Sequence, residues 1–306
     1  MPRGPCHFES KGVCIYCGST DTALSDEHVV PYSLGGSHVL REASCSGCAD
    51  ITKKFEQRVA RDLWGDARTA FNAPSRRKRL RKRKLVMPGS SSRSEELAIA
   101  AENYPAGFVF YKMCQAGMLQ GLTEDIDVSK SWQFVVIDDD RRRKRFLENN
   151  PNAKLTLSFR NVPQDFGRML AKIGYGHVLT EFNLEDFRPI CVPYILGHKA
   201  NVSHIVGGSL DDQAPEPGNG YSMRTVGFGS AYRIVLVALI RLLANTSAPA
   251  YHVVVGDVVG FDRVKRIIQR PGIIIEGPGS TKNSARGSPA HWTPQVWPVP
   301  FLGRSE

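Results

Sequence analysis

The sequence predicts an α+β protein in which a zinc-stapled N-terminal module is followed by a basic linker and a mixed α+β C-terminal domain. Three observations carry this expectation: two Cys-x-x-Cys pairs, Cys14/Cys17 and Cys45/Cys48; an apolar stripe at helical spacing straight after the second pair; and, past a Gly/Ser-rich break, strand-like segments with one helical pattern among them. At 306 residues the chain can bury a substantial core, and length alone leaves one domain or two open.

Taken in order, residues 1–12 read as a loose leader and residues 13–72 as the first module. From Cys48 to Trp64 the residues Ile51, Phe55, Val59 and Leu63 recur at steps of four, placing one apolar stripe on a helix whose other faces carry Lys53, Lys54, Arg58 and Arg61. Residues 73–98 read as a linker, because Ala73-Pro74 ends the helical pattern and a basic run leads into Pro88-Gly89-Ser90-Ser91-Ser92. Residues 99–270 form the expected second domain. Its candidate strands are 107–112, 132–137, 154–160, 232–243 and 251–259, and its candidate helix is 165–175, with Phe166, Met169, Leu170 and Ile173 on one side. The run Arg141–Arg145, preceded by Asp138–Asp140, reads as a turn, and residues 271–306 as a Pro/Gly-rich tail.

The net charge of +10 is concentrated. Arg76, Arg77, Lys78, Arg79, Arg81, Lys82, Arg83 and Lys84 supply eight basic residues in nine, which leaves +2 for the rest of the chain. Such a stretch points to an acidic polymer and would anchor phosphates without reading bases. The longest apolar run, near 234–244, contains Arg241 and falls short of the ~20 residues a membrane span needs. With no signal-type apolar segment at the N-terminus, the expected home is the cytoplasm, where the seven cysteines would not pair as disulfides. Cys6, Cys114 and Cys191 then read as small hydrophobes, and His177, His198, His204 and His252 as structural histidines.

The remaining four cysteines have the spacing of a two-knuckle zinc site, since each Cys-x-x-Cys turn presents two thiolates at one point and two turns complete a tetrahedron. The metal would replace a hydrophobic core that so short a segment cannot build. Between the knuckles lie Glu27, His28, Pro31, Leu34, Gly35 and Gly36. In this order these residues resemble the HNH endonuclease family, in the branch with the pattern EHxxPxxLGG between two Cys-x-x-Cys knuckles, over roughly residues 13–60.

The resemblance implies a ββα-metal fold, with His28 near the end of the first strand, a loop through Gly35-Gly36, a second strand and a helix from Cys45. It further implies a phosphodiester hydrolase in which His28 is the general base and Glu27 a ligand of a divalent ion, magnesium or manganese, distinct from the zinc. A neutral imidazole can deprotonate water near neutral pH, and a hard cation suits carboxylate oxygen. The family's asparagine position falls on Leu40 and its polar position after the second knuckle on Ala49, so Asp50 is the candidate second carboxylate and His38 a candidate auxiliary group. DNA is the expected partner, with RNA left open. The competing expectation is a zinc-dependent nucleic-acid-binding protein whose HNH centre does not cleave, and a restrained or defence nuclease would differ from the first only in its control.

Overall fold

The computed structural model describes residues 5–75, 83–88, 96–153, 155–216, 220–269 and 274–276. Its first layer is a three-stranded sheet. β1 (Cys6–Phe8) pairs in parallel with β3 (His38–Cys45), and β2 (Leu24–His28) pairs antiparallel on the other side of β3. The expected loose leader therefore contributes an edge strand. Three residues carry no alternation to announce themselves, and their place is set by ladder partners 32 residues further on.

Helix α1 (Ser46–Arg58) starts at the second knuckle and buries Cys48, Thr52 and Phe55. It continues through one π-type turn, Val59–Leu63, in which Trp64 N–H reaches back five residues to Val59 O at 3.2 Å, and then into α2 (Gly65–Ala70). The widened turn carries Trp64 into the core, where its indole N–H donates to Val109 O and its ring meets Phe108, Phe110 and Phe166.

The ends of the stretch expected to be linker are strands. β4 (Lys84–Pro88) and β5 (Glu96–Ala100) form an antiparallel pair with Leu85 and Met87 buried and Val86 outside, the alternation of a half-buried hairpin. β6 (Gly107–Lys112) and β7 (Gln133–Asp138) lie where strands are expected, to within a residue, and pair with each other as a second two-stranded unit. The expected turn at 141–145 is instead part of α3 (Asp140–Asn149). Asp139 caps it by accepting from the backbone N–H groups of Arg141 and Arg142, which makes the acidic run before the arginines a helix start signal. Among the described residues, 155–160 join no sheet: Leu155 and Leu157 are exposed, while the backbone bond from Arg160 N–H to Asp62 O and the packing of Phe159 on Phe134 tie the segment down.

The second large layer is a six-stranded sheet formed by β8 (Arg188–Pro189), β9 (Val206–Gly208), β10 (Tyr221–Gly229), β11 (Arg233–Leu242), β12 (Ala250–Val259) and β13 (Ile274–Glu276), with long antiparallel ladders β10–β11–β12 at its centre. Between the two layers runs α4 (Pro163–Glu181), buried on nearly every side. A helix apolar all round belongs between two packed faces. On one face Gly174 lets it lie against Ala238 and Val253 of the large sheet, where an added Cβ would come within about 3.0 Å of Val253. On the other, Gly176 faces Val29 just past β2. Buried residues from Cys14 to Ile267 form one connected core that includes the first module. The remaining helices, α5 (Val192–Leu196) and α6 (Phe261–Ile268), are short. Among the described residues no helix is long and apolar enough to cross a membrane.

Candidate metal centre and histidine site

The two knuckles converge. Sγ atoms of Cys14, Cys17, Cys45 and Cys48 all lie within 4.8 Å of one another, and Cys17 to Cys45 is 3.7 Å. A tetrahedron with Zn–S bonds of about 2.3 Å has sulfur–sulfur edges of about 3.8 Å, so four soft thiolates gathered this closely are a fitting donor set for zinc. All four are free of disulfides. Cys14 Sγ accepts from the backbone N–H of Cys45 at 3.4 Å. Burial pushes the Cys14 thiol up, but this bond and the N–H groups of Cys17 and Tyr16 outweigh it and lower its pKa to about 7. Cys48 is pushed well up by burial and by its crowding against Cys45 and Cys17, because four adjacent thiols cannot all ionise without a cation. The site is tied to the rest of the molecule through Tyr175 of α4, whose hydroxyl donates to Ile15 O inside the first knuckle at 2.6 Å.

At the far end of β2, alternation sends neighbouring side chains to opposite faces. Glu27 points inward and is 8% exposed; His28 is half-buried, its ring 5.7 Å from that of Tyr32. A bulge between Ser25 and Glu27 breaks the β2–β3 register just before the pair, a common device for re-aiming a side chain beside a site. The loop then turns through Pro31–Leu34 and Gly35, which adopts a left-handed φ of 83°. Gly36 is required sterically: a Cβ there would sit 1.8 Å from Val30 O.

The inward carboxylate of Glu27 meets Lys172 of α4, Oε1 to Nζ 2.7 Å, and the same ammonium is 2.8 Å from Glu56 Oε1 of α1 and donates to the main-chain oxygen of His28. Burial opposes the charge on Lys172, yet the two carboxylates more than compensate and hold its pKa above the usual lysine value. Burial also keeps the Glu56 carboxyl above the usual range in spite of Lys172. Sequence reasoning missed both Glu56 and Lys172. Glu56 follows Thr52 by one helical turn on the buried side of α1, and Lys172 interrupts the apolar face of its helix; these irregularities were the available signals.

Other expected site residues are placed as follows. Asp50 is exposed on α1, and among the described residues the four cysteines are the only group of three or more potential ligands close enough to hold a metal. Leu40 is buried and lies opposite Glu27 in the ladder. His38 is wedged edge-on against Phe8 and Tyr221, and burial lowers its pKa, which gives it a packing role between β1 and β10. Of the basic run, Arg83 and Lys84 are exposed, and residues 76–82 lie outside the described residues, as does nearly all of the expected tail. His177 and His252 are buried, whereas Cys6 is exposed on its edge strand and not packed as a small hydrophobe. A cavity of about 310 Å³ lies under the loop after His28, lined by Val30, Leu34, Trp64, Phe110 and Tyr221.

With this geometry in hand, a family model described as HNH endonuclease matches residues 14–63, which run from the first knuckle through the end of the π-type turn. No curated protein and no solved structure matches the chain.

Proposed function

We propose that this protein hydrolyses phosphodiester bonds in DNA, with residues 14–63 as the cleaving part and His28 as general base. The observation that carries the reading is the position of His28: at the end of β2, half-exposed, beside a four-thiol staple, within the segment that matches the HNH endonuclease family. In the reaction the imidazole takes a proton from water as the water oxygen attacks phosphorus and the P–O bond to the leaving oxygen breaks. Zinc held by Cys14, Cys17, Cys45 and Cys48 fixes the start of α1 against β3 and takes no part in the chemistry.

A magnesium or manganese ion would supply positive charge to the phosphate. Its proposed ligands, Glu27 and Asp50, do not form a ready site: Glu27 Oε1 is engaged by Lys172, and Asp50 stands exposed on its helix. The same ion pair, together with Leu40 opposite Glu27, favours the second reading, a zinc-dependent nucleic-acid-binding protein with a silent centre. In both readings the basic run 76–84 contacts phosphates and gives binding a steep salt dependence.

Supercoiled plasmid incubated with purified protein and magnesium or manganese separates the two. Cleavage by wild type and its loss in His28→Ala is the expected result. DNA binding without cleavage, or cleavage that survives the substitution, would refute the nuclease assignment.

A further inference from the structure

We infer that Lys172, outside the family-matched segment, is a positioning residue for His28; this rests on the nuclease reading above. Its side chain is 1% exposed on a helix whose neighbouring positions Leu170, Ala171 and Ile173 are buried, an environment in which an ammonium persists only with close oxygen partners. It has three: Glu27 Oε1, Glu56 Oε1 and the carbonyl oxygen of His28. It donates to the carbonyl oxygen of His28 and is ion-paired with both carboxylates, and at 1% exposure it offers no open face to a substrate. Lys172 therefore acts through other groups.

The group it acts on is the 28–29 peptide. Its carbonyl is held by Lys172, and its N–H, that of Val29, donates to His38 O at 2.9 Å. The peptide is thus gripped from α4 on one side and from β3 on the other, immediately after the base. One turn further along α4, Gly176 lies beside Val29, so the helix and the residue after His28 are neighbours at this point. Through Glu56 the same ammonium also fixes α1 relative to β2, which sets the strand end against the zinc-anchored helix.

The test compares the full-length wild type with Lys172→Met/Glu56→Gln, a pair that removes the clamp and one carboxylate together, so that the buried cluster keeps its net charge. Zinc content and the exchange protection of α1 amides report folding. The clamp predicts that the Val29 amide exchanges at least ~10-fold faster while α1 is unchanged, and that kcat for plasmid cleavage falls about 100-fold with KM within about twofold, the signature of a misplaced base in a bound complex. Unchanged Val29 exchange, or acceleration shared equally by α1, overturns the inference. A wild-type protein that does not cleave refutes the nuclease reading instead, and the exchange comparison still decides whether Lys172 positions the 28–29 peptide.

Discussion

Acid should weaken this fold through two buried histidines. His252 on β12 is 2% exposed and its Nε2 accepts the backbone N–H of Ala116 at 3.0 Å, a bond that requires the neutral ring; His177 on α4 is buried at 7% exposure. Burial pulls both pKa values from 6.5 to about 4, with the nearby His38 contributing at His177. Because the folded-state values are depressed, the associated stability is present above about pH 6.5 and is lost as the pH falls towards 4, where the unfolded chain binds protons that the folded chain refuses. At pH 5 linkage gives a loss of roughly 2 kcal/mol for each ring, about 4 kcal/mol together. That is a large share of the ~5–15 kcal/mol that typically holds a domain folded. His252→Gln keeps an acceptor for Ala116 and removes the titration. Urea unfolding at pH 7.5, 6 and 5 in excess zinc should show wild type losing about 2 kcal/mol more than the variant between the extremes. Equal losses in the two proteins would refute the reasoning, and any acid weakening of the zinc site cancels in the comparison.

Two further outcomes test the first module. Cys45→Ser removes one of four thiolates and should abolish stoichiometric zinc binding and unfold residues 14–63; since structural zinc typically contributes on the order of 10 kcal/mol, native-like circular dichroism and zinc content in the variant would count against the staple. Gly36→Ala forces the loop off Val30 O and should destabilise the protein by about 1–3 kcal/mol, read as a shift in thermal midpoint, while leaving zinc stoichiometry at one.

Much of the architecture was legible because it repeats at short range. Knuckle spacing, the four-residue stripe of α1 and the β-branched and aromatic runs of β6, β7, β11 and β12 are local signals, and each element forms close to where its pattern lies. Three of the misreadings have separate causes. The 155–160 segment alternates but lacks a partner strand, and alternation alone does not supply a ladder. Arg141–Arg145 is helical because Asp139 satisfies the first N–H groups, a cap visible in the sequence. Cys6–Phe8 is a strand only because β3 is beside it. The site divides in the same way: the cysteines follow from spacing and the acid–histidine pair from the resemblance to the HNH endonuclease family, whereas the partner of Glu27 stands 145 positions away and is selected by three-dimensional packing.

The placement of α4 bears on what can be inherited or borrowed. Residues 14–63 recur as a recognisable cassette, yet Val29, Tyr16 and the carboxylates of Glu27 and Glu56 are all completed by a helix that the cassette does not carry. Grafted onto another scaffold, the segment would bring its four zinc ligands intact but would expose apolar side chains and leave two acids without their counter-ion. A host that accepts it has to offer a cation in the place of Lys172 and an apolar surface against Val29. Substitutions in α4 are accordingly expected to disturb a centre to which the helix contributes no recognisable motif.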